Sequence, residues 1–373
     1  MTNVSRIHTI DVLRGFALLG IFITHIYSIN MGVDHGYSNK INSLINIVYI
    51  NIFFGKFYTI FSFLFGLSFY IQLQNATIRG NKFVGRYVFR LFILFLIGAL
   101  HFLLYAGDIL QLYSVLGLML VLCRKFTNKT ILALSVIFLL LSIVIPILNL
   151  TSGMITENSF IYPFIGGKFA TKYNWYLITE GQLFVVGSFF FLGFYAGKMN
   201  FFKTINLPAF KKTLFYTFSL ATIVTGGLAF IYFSGARKSH SIIDLDIVIT
   251  ILTRFQQVFL SFFYLSTIVL ICELKKGKLD FFISIGKIGL TIYILQSVVI
   301  YYLNSIFLNQ GIMVALATGI LVFVLLIFLS KLWLSQFKHG PIEWLWRSLT
   351  NLQLPSFSSK SAVNEGHLGN QPK

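Results

Sequence analysis

The sequence predicts an all-α membrane protein, a polytopic bundle of about ten transmembrane helices. Of its 373 residues, 57% are hydrophobic and 11% are charged, and the mean hydropathy is +0.82. Apolar runs of about 20 residues recur along the chain, each long enough to cross a bilayer. Lys and Arg collect between alternate runs, so the net charge of +18 indicates the positive-inside bias. We therefore expect a lipid bilayer as the partner, and no nucleic acid.

The runs place ten spans in order, each ended by basic, polar or turn residues. The first span is Thr9–Ile29, and the Asn-studded stretch Ile41–Phe54 predicts a re-entrant or interfacial segment before the second. The other nine spans are Phe57–Leu73, Tyr87–Tyr105, Ile109–Cys123, Ile131–Leu148, Trp175–Ala196, Thr213–Phe233, Ile247–Cys272, Phe281–Leu303 and Gly311–Leu334. The largest polar excursion is the loop Asn149–Asn174. Tryptophans in Gly340–Arg347 favour an interfacial helix.

Loop charges predict the orientation. The basic segments Arg79–Arg90, Arg124–Lys129, Lys198–Lys212 and Lys275–Lys278 lie on one side together with the C-terminus, and this side should be cytoplasmic. Ten spans then place both termini in the cytoplasm. We expect one transmembrane domain over residues 1–355 and a disordered tail over residues 356–373. The first span contains Asp and Arg, and we interpret it as a retained helix.

Three ionisable residues share one stripe of the first span. Arg14 follows Asp11 by three positions, and His25 follows Arg14 by eleven, which returns it to nearly the same helix face about 16 Å further along the axis. Ionisable groups at membrane depth indicate a functional site by default. Two plainer roles stay open: an i,i+3 anchor for Asp11 and Arg14, and a core position for His25.

Two further groups of polar residues are candidates on opposite sides of the membrane. Arg86 and Arg90 lie one turn apart near Arg14 on the cytoplasmic side, where they predict either a phosphate site or an ordinary positive-inside anchor. Near the outer side, Asp108 follows a tight turn close to His101 and is suited to orient its imidazole or to cap the next helix. The other outer-side candidates are Glu180, Arg254 and Gln296, and we expect Gln296 to find a partner inside the bundle.

Several classes of site are not indicated. The chain has no P-loop, no G-x-G-x-x-G, no G-x-S-x-G and no H-E-x-x-H motif. Its two cysteines, Cys123 and Cys272, offer neither a disulfide framework nor metal-ligand spacing. We therefore expect no metal.

These motifs resemble a known family over nearly the whole chain. Arg14 and His25 are similar to the R-x10-H motif of the acyltransferase-three superfamily of membrane acyltransferases. Arg86 and Arg90 fall at its paired-arginine motif, although the spacing here is R-x-x-x-R and not R-x-x-R. A closer resemblance is to the YeiB-like family, in which many members carry Asn at the position of His25. The matching stretches are Asp11–Gly20, Lys56–Gly66, Ile97–His101, Gly107–Leu110, Leu290–Ser297 and Gly340–Arg347.

The resemblance implies acyl transfer across a bacterial inner or plasma membrane. Acyl-CoA, most simply acetyl-CoA, would bind from the cytoplasm with its phosphates near Arg14, Arg86 and Arg90. His25 would act as general base or transient acyl carrier, supported by His101 and Asp108, toward an unknown envelope acceptor. Two alternatives stay open: a transporter or flippase that uses the polar stripe, and a non-catalytic membrane partner protein.

Overall fold

The computed structural model describes residues 8–30, 40–78, 83–105, 107–152, 178–202, 205–234, 242–307 and 312–351. Within these ranges the regular elements are helical. They are α1 (His8–Asn30), α2 (Lys40–Val48), a π-helical turn (Tyr49–Phe53), α3 (Lys56–Ile78), α4 (Phe83–Phe102), α5 (Leu110–Cys123), α6 (Asn128–Ser152), α7 (Gln182–Lys198), α8 (Leu207–Phe233), α9 (Ile242–Leu274), α10 (Phe281–Lys287), α11 (Gly289–Phe307), α12 (Ile312–Gln336) and α13 (Pro341–Asn351).

Seven of the described helical segments are long and apolar enough to cross a membrane, or eight if the bent pair α10–α11 forms one span. The predicted all-helical, multi-pass class is therefore confirmed. The count of about ten additionally uses α5 and α7, whose apolar helices are only 14 and 17 residues long. The number ten and the cytoplasmic termini stay predictions.

Helix α1 forms the centre of the bundle. It packs against α3, α9, α10, α11 and α12, and 72% of its membrane-spanning residues are buried, against 6% for those of α8. Its buried side chains include Leu13, Leu18 and Phe22 as well as the polar Asp11 and His25. A charged helix suits this position because neighbouring helices, and not lipid, surround its polar groups.

Reciprocal glycine contacts set the closest helix crossings. A Cβ atom on Gly66 of α3 would lie 2.0 Å from the carbonyl oxygen of Phe190, and one on Gly193 of α7 would lie 1.9 Å from that of Phe63. At the α1–α10 crossing, a Cβ on Gly286 would lie 1.9 Å from the Asp11 carbonyl oxygen. Small residues allow such backbone contact, which supplies the packing that drives helix association in lipid.

The structure corrects several predicted boundaries. The predicted span Phe281–Leu303 is two helices bent by 92°, with the break at Ile288. Helix α6 extends to Ser152, inside the predicted loop Asn149–Asn174. Helix α7 begins at Gln182, and the predicted start of this span at Trp175 lies outside the described residues. The interfacial segment Ile41–Phe54 is helical and leads into α3 as one candidate span, Leu44–Ile78. The rest of the loop and the tail 356–373 lie outside the described residues.

Candidate functional site

Helices α1 and α4 carry the same pair of residue types at the same spacing. Arg14 and His25 are eleven residues apart on α1, and Arg90 and His101 are eleven residues apart on α4. Each pair is separated by about 16 Å along its helix axis. Arg14 lies within electrostatic range of Arg90, and His25 within that of His101, so the two helices run parallel. The bundle therefore contains an arginine cluster and a histidine cluster.

The first part of the arginine cluster is Arg14, which is partly buried between α1 and α3. Its Nη1 forms an ion pair with Asp11 Oδ1 at 3.2 Å, and its Nη2 donates to Ser68 Oγ. Asp11 is 2% exposed. The ion pair of Asp11 and Arg14 is therefore present, as one of the two alternatives from the sequence described it. A guanidinium has five N–H donors in a planar fork, which leaves this anchoring role compatible with phosphate binding.

Arg90 completes the cluster together with the C-terminal helix. Its Nη1 donates to Gln72 Oε1 at 3.0 Å, and its guanidinium lies 3.9 Å from the ring centroid of Trp346 on α13. The Trp346 indole in turn donates to the Arg90 carbonyl at 2.9 Å. Arg347 lies within electrostatic range of Arg90. We define the arginine cluster as Arg14, Arg90 and Arg347.

Arg86 stands apart from this cluster. It is exposed on α4, one turn before Arg90, and no hydrogen bond or ion pair joins it to another residue that the structure describes. Its predicted role in phosphate binding stays a prediction, because an exposed arginine at the end of a span is also the ordinary positive-inside anchor.

The histidine cluster is built on a buried His–Asp pair. His101 Nδ1 lies 2.8 Å from Asp108 Oδ1, and both side chains are at most 1% exposed. The other carboxylate oxygen of Asp108 accepts from the Gln111 backbone N–H at 3.2 Å in the first turn of α5. Asp108 thus has both functions that the sequence suggested, orienting the imidazole and capping the helix.

His25 faces the same pair across two tyrosine rings. Its ring centroid lies 4.4 Å from that of Tyr105 and 5.9 Å from that of Tyr293. The centroid of His101 lies 6.2 Å and 5.1 Å from the same two rings. The Tyr293 hydroxyl accepts from the Ile109 backbone N–H at 3.2 Å, which fixes the ring beside α5. We define the histidine cluster as His25, His101, Asp108, Tyr105 and Tyr293.

The electronic state of His101 follows from its partner. A carboxylate only accepts hydrogen bonds, so the proton of the neutral imidazole resides on Nδ1 and the lone pair on Nε2. The Nε2 atom is buried and has no hydrogen-bond partner among the described residues, and the same holds for Nδ1 of His25. Buried polar atoms in folded proteins are normally satisfied, so two such nitrogens in one cluster indicate a site for a reacting group.

The other three outer-side candidates lie elsewhere. Arg254 and the exposed Glu180 belong to a polar network around Gln182, where Arg254 Nη2 donates to the Glu180 carbonyl at 2.5 Å. Gln296 is fully buried, but neither atom of its amide has a partner among the described residues, which contradicts our expectation of one.

Sequence reasoning missed Tyr105, Tyr293, Trp346 and Lys56. Eighteen Tyr and 42 Phe residues make any single aromatic side chain uninformative. Lys56 offers a signal, since it lies inside an apolar stretch, but a lysine near a span end is also typical of an ordinary anchor. The structure buries it to 1% exposure. Among the described residues, no group of three or more His, Cys, Asp and Glu side chains is placed to hold a metal ion.

Comparison with known proteins adds the family context. Residues 196–353 match a family described as protein of unknown function, DUF418. That range includes Tyr293, Gln296 and Trp346, whereas α1 and α4 precede it. A segment of 82 residues, 21% of both chains, is 37% identical to the uncharacterised protein YeiB of Escherichia coli (strain K12). These findings support the YeiB-like family of proteins without an assigned function.

Two relatives match over nearly their full length. The uncharacterised protein YxaH of Bacillus subtilis (strain 168) is 29% identical over 97% of this chain and 98% of its own. An uncharacterised 39.9 kDa protein in the amylase 3′ region of Bacillus acidopullulyticus is 27% identical over 96% of this chain and 97% of its own. The chain therefore corresponds to the whole of these relatives, and their descriptions name no activity.

Proposed function

We propose that the protein is a membrane acyltransferase that moves an acyl group, most simply acetyl, from cytoplasmic acyl-CoA to a hydroxyl or amine of an envelope acceptor. The observation that carries this proposal is the buried Asp108–His101 pair, whose Nε2 lone pair has no partner among the described residues. An imidazole oriented in this way is suited to general-base catalysis. The resemblance to membrane acyltransferases supports the choice of reaction.

In this reaction His101 Nε2 accepts the proton of the acceptor O–H or N–H while the acceptor atom attacks the thioester carbonyl. The C–S bond then breaks, and the CoA thiolate leaves with the proton from His101. Asp108 stabilises the imidazolium that forms in between. His25 supplies a second imidazole beside the reacting groups and is the alternative base or acyl carrier.

The arginine cluster supports the placement of CoA. Arginine binds phosphate through charge-assisted, often bidentate hydrogen bonds. Arg14 and Arg90 lie about 16 Å along their helices from His25 and His101, which matches a nucleotide at one end of the bundle and a thioester near the other. Arg347 is a candidate that the sequence did not single out.

A transporter is the second candidate, because the 92° break between α10 and α11 resembles the discontinuous helices that hold substrates in transporters. Here, however, the freed N-terminus of α11 is occupied. Glu343 Oε1 accepts from the backbone N–H groups of Leu290 at 2.7 Å and Thr291 at 3.1 Å. A non-catalytic partner protein agrees less well with the unsatisfied nitrogens of His25 and His101.

The test is release of free CoA thiol from acetyl-CoA by the purified protein in detergent. His101→Asn should lower the rate by about a hundredfold or more, the usual scale for loss of a general base. Asp108→Asn should lower it as well, because Nδ1 then loses the acceptor that fixes the tautomer. His25→Asn is the parallel variant. A larger loss for His25→Asn, with His101→Asn unchanged, would assign the base to His25.

A matched control exists elsewhere on α1. His8 Nε2 pairs with Asp280 Oδ1 at 3.0 Å, and both side chains are about half exposed. His8→Asn removes an imidazole from a His–Asp pair outside the histidine cluster and should leave thiol release unchanged. If the wild-type protein neither binds nor hydrolyses acyl-CoA, the proposal is wrong.

A further inference from the structure

Lys56 is a buried cation that the proposed reaction does not use. It begins α3 and is 1% exposed. Its Nζ donates to the Ile50 carbonyl at 2.7 Å and to Gln256 Oε1 at 3.3 Å, and both acceptors are neutral oxygens. An ammonium group has three N–H donors, so the third has no acceptor among the described residues.

A second cation increases the positive charge at this place. Arg254 of α9 is 5% exposed and lies within electrostatic range of Lys56. It donates to Gln257 Oε1 at 2.6 Å, to Gln182 Oε1 at 3.2 Å and to the Glu180 carbonyl at 2.5 Å, and the Glu180 carboxylate lies within electrostatic range of it. The Glu180 carboxylate offsets part of the Arg254 charge, whereas both acceptors of the Lys56 ammonium are neutral, and Lys56 and Arg254 repel each other. Burial of charge inside a helix bundle is costly unless an opposite charge compensates it.

The side chains around both cations are held rigidly. Gln256 Nε2 donates to Asn51 Oδ1 and to Thr225 Oγ1, each at 2.8 Å. Gln257 Nε2 donates to the Gly55 carbonyl and to Thr59 Oγ1, each at 3.0 Å. These bonds hold the two amide groups in place. The Lys56 ammonium, by contrast, has one N–H donor without an acceptor among the described residues.

We propose that Lys56, with Arg254 beside it, forms a binding site for an oxyanion, a phosphate or carboxylate group. The anion accepts a hydrogen bond from the third N–H of Lys56 and offsets the repulsion between the two cations. The proposal does not depend on acyl transfer. It requires only that the buried charge be compensated by a ligand that presents anionic oxygens.

The first experiment follows the thermal unfolding midpoint of the full chain in an uncharged detergent. Inorganic phosphate replaces chloride at constant ionic strength, so general screening stays the same. The wild-type midpoint should rise in a saturable way, and Lys56→Gln should weaken the apparent affinity at least tenfold. Lys129→Gln removes an exposed lysine at the start of α6 and should keep the wild-type response.

A second variant supplies the anion from within the chain. Gln256→Glu changes one amide nitrogen to oxygen and places a carboxylate against Lys56 Nζ. The substitution also removes the donors to Asn51 and Thr225, so the readout is the response to phosphate and not the midpoint itself. That response should disappear. The proposal would be overturned if the Gln256→Glu variant responds to phosphate like the wild type. It would also be overturned if the Lys56→Gln variant binds phosphate with wild-type affinity. If Lys56→Gln fails to fold, Lys56→Arg retains the charge and should retain the response.

Two further arms distinguish the source of the anion. Acetate in detergent tests a soluble carboxylate, and nanodiscs of phosphatidylcholine with or without phosphatidylglycerol test a lipid phosphate. Stabilisation by phosphatidylglycerol alone identifies a lipid headgroup, and stabilisation by phosphate or acetate in detergent identifies a soluble ligand. A wild-type protein that responds in none of these arms does not bind an oxyanion at Lys56, and the proposal fails.

Discussion

Gln296 and Gln257 are two buried glutamines in opposite situations. Gln296 is fully buried and has no partner for either amide atom among the described residues, whereas Gln257 is bonded to Gly55, Thr59 and Arg254. A buried unsatisfied polar group costs about 1–3 kcal/mol. Gln296→Leu should therefore stabilise the protein by about that amount, and Gln257→Leu should destabilise it. Thermal unfolding in detergent measures both, and shifts in the same direction would contradict this account.

Residue by residue, the sequence predicted the pairings that depend on short separations. Asp11 and Arg14 are one turn apart, and His101 and Asp108 flank one tight turn, so helix geometry and chain continuity suffice to bring them together. The contact of His25 with Tyr105, and that of Arg90 with Trp346, depend on how distant helices cross. One sequence without an alignment contains no direct record of those crossings.

Among the helices, α13 is tied to the break between α10 and α11 by one carboxylate. The break exposes the first N–H groups of α11, and Glu343 Oε1 accepts from those of Leu290 and Thr291. Glu343 Oε2 accepts from the Thr291 hydroxyl, and Thr291 Oγ1 accepts from the Ile342 N–H. This cap links the motifs Leu290–Ser297 and Gly340–Arg347, because the first supplies the N–H donors and the second supplies the carboxylate that accepts from them.

Glu343 gives the stability of the protein a defined pH dependence. Burial raises the pKa of Glu343 above its ordinary value, and the hydrogen bonds from Thr291 and Leu290 oppose that shift. The folded protein thus holds the proton more tightly than the unfolded chain does. The contribution of Glu343 to stability is fully present below the ordinary glutamate pKa of about 4.3, and it is lost as pH rises through the raised pKa of the folded protein.

Glu343→Gln tests this linkage because it keeps an acceptor for both N–H groups but does not titrate. The wild-type unfolding midpoint, relative to that of Glu343→Gln, should fall as pH rises through this window. Glu343→Ala also removes the cap, so it should destabilise the protein by about 0.5–2 kcal/mol at every pH. Parallel midpoint curves for the wild type and Glu343→Gln between pH 4 and 8 would contradict the raised pKa.

At the level of the elements, continuous hydropathy concealed the bend of 92°. Phe281–Leu303 is apolar throughout, and length alone makes it one span. Glycines at positions 286 and 289 flank the break at Ile288, but glycine is common in membrane helices and does not by itself indicate a bend. The deciding partner, Glu343, lies more than fifty residues away in sequence.

For the whole molecule, hydropathy and loop charge predicted a multi-pass helical membrane protein. The buried share of each helix, which only the structure gives, shows which helices are central and which are peripheral. Helix α1 has the polar residues and is central, whereas α8 is apolar and faces outward along nearly its whole length. Mean hydropathy does not predict that α1 is central and α8 peripheral, because both helices are apolar enough to qualify as spans. Charged residues within a span are the better guide to the bundle interior.

The number of spans depends on the shortest apolar helices. Helix α5 has 14 residues, which corresponds to about 21 Å of helix against a hydrocarbon thickness of about 30 Å. Arg124, Lys125 and Lys129 follow it, whereas Gly107–Asp108 precede it without a basic residue. This asymmetry favours a crossing from outside to inside, with local thinning of the bilayer to match the short helix.

Topology reporters placed after Gly107 and after Lys125 should therefore report opposite sides, outside and inside. Reporters after Gln310 and Lys338 flank α12, a mostly apolar helix of 25 residues that is long enough to span a bilayer unaided, and they serve as the control pair. If the control pair reports opposite sides and the α5 pair reports the same side, α5 does not cross. Every loop after α5 would then lie on the side opposite to the predicted one. The side that the Gly107 reporter gives would still be the side from which an acceptor reaches His101, because both residues precede α5.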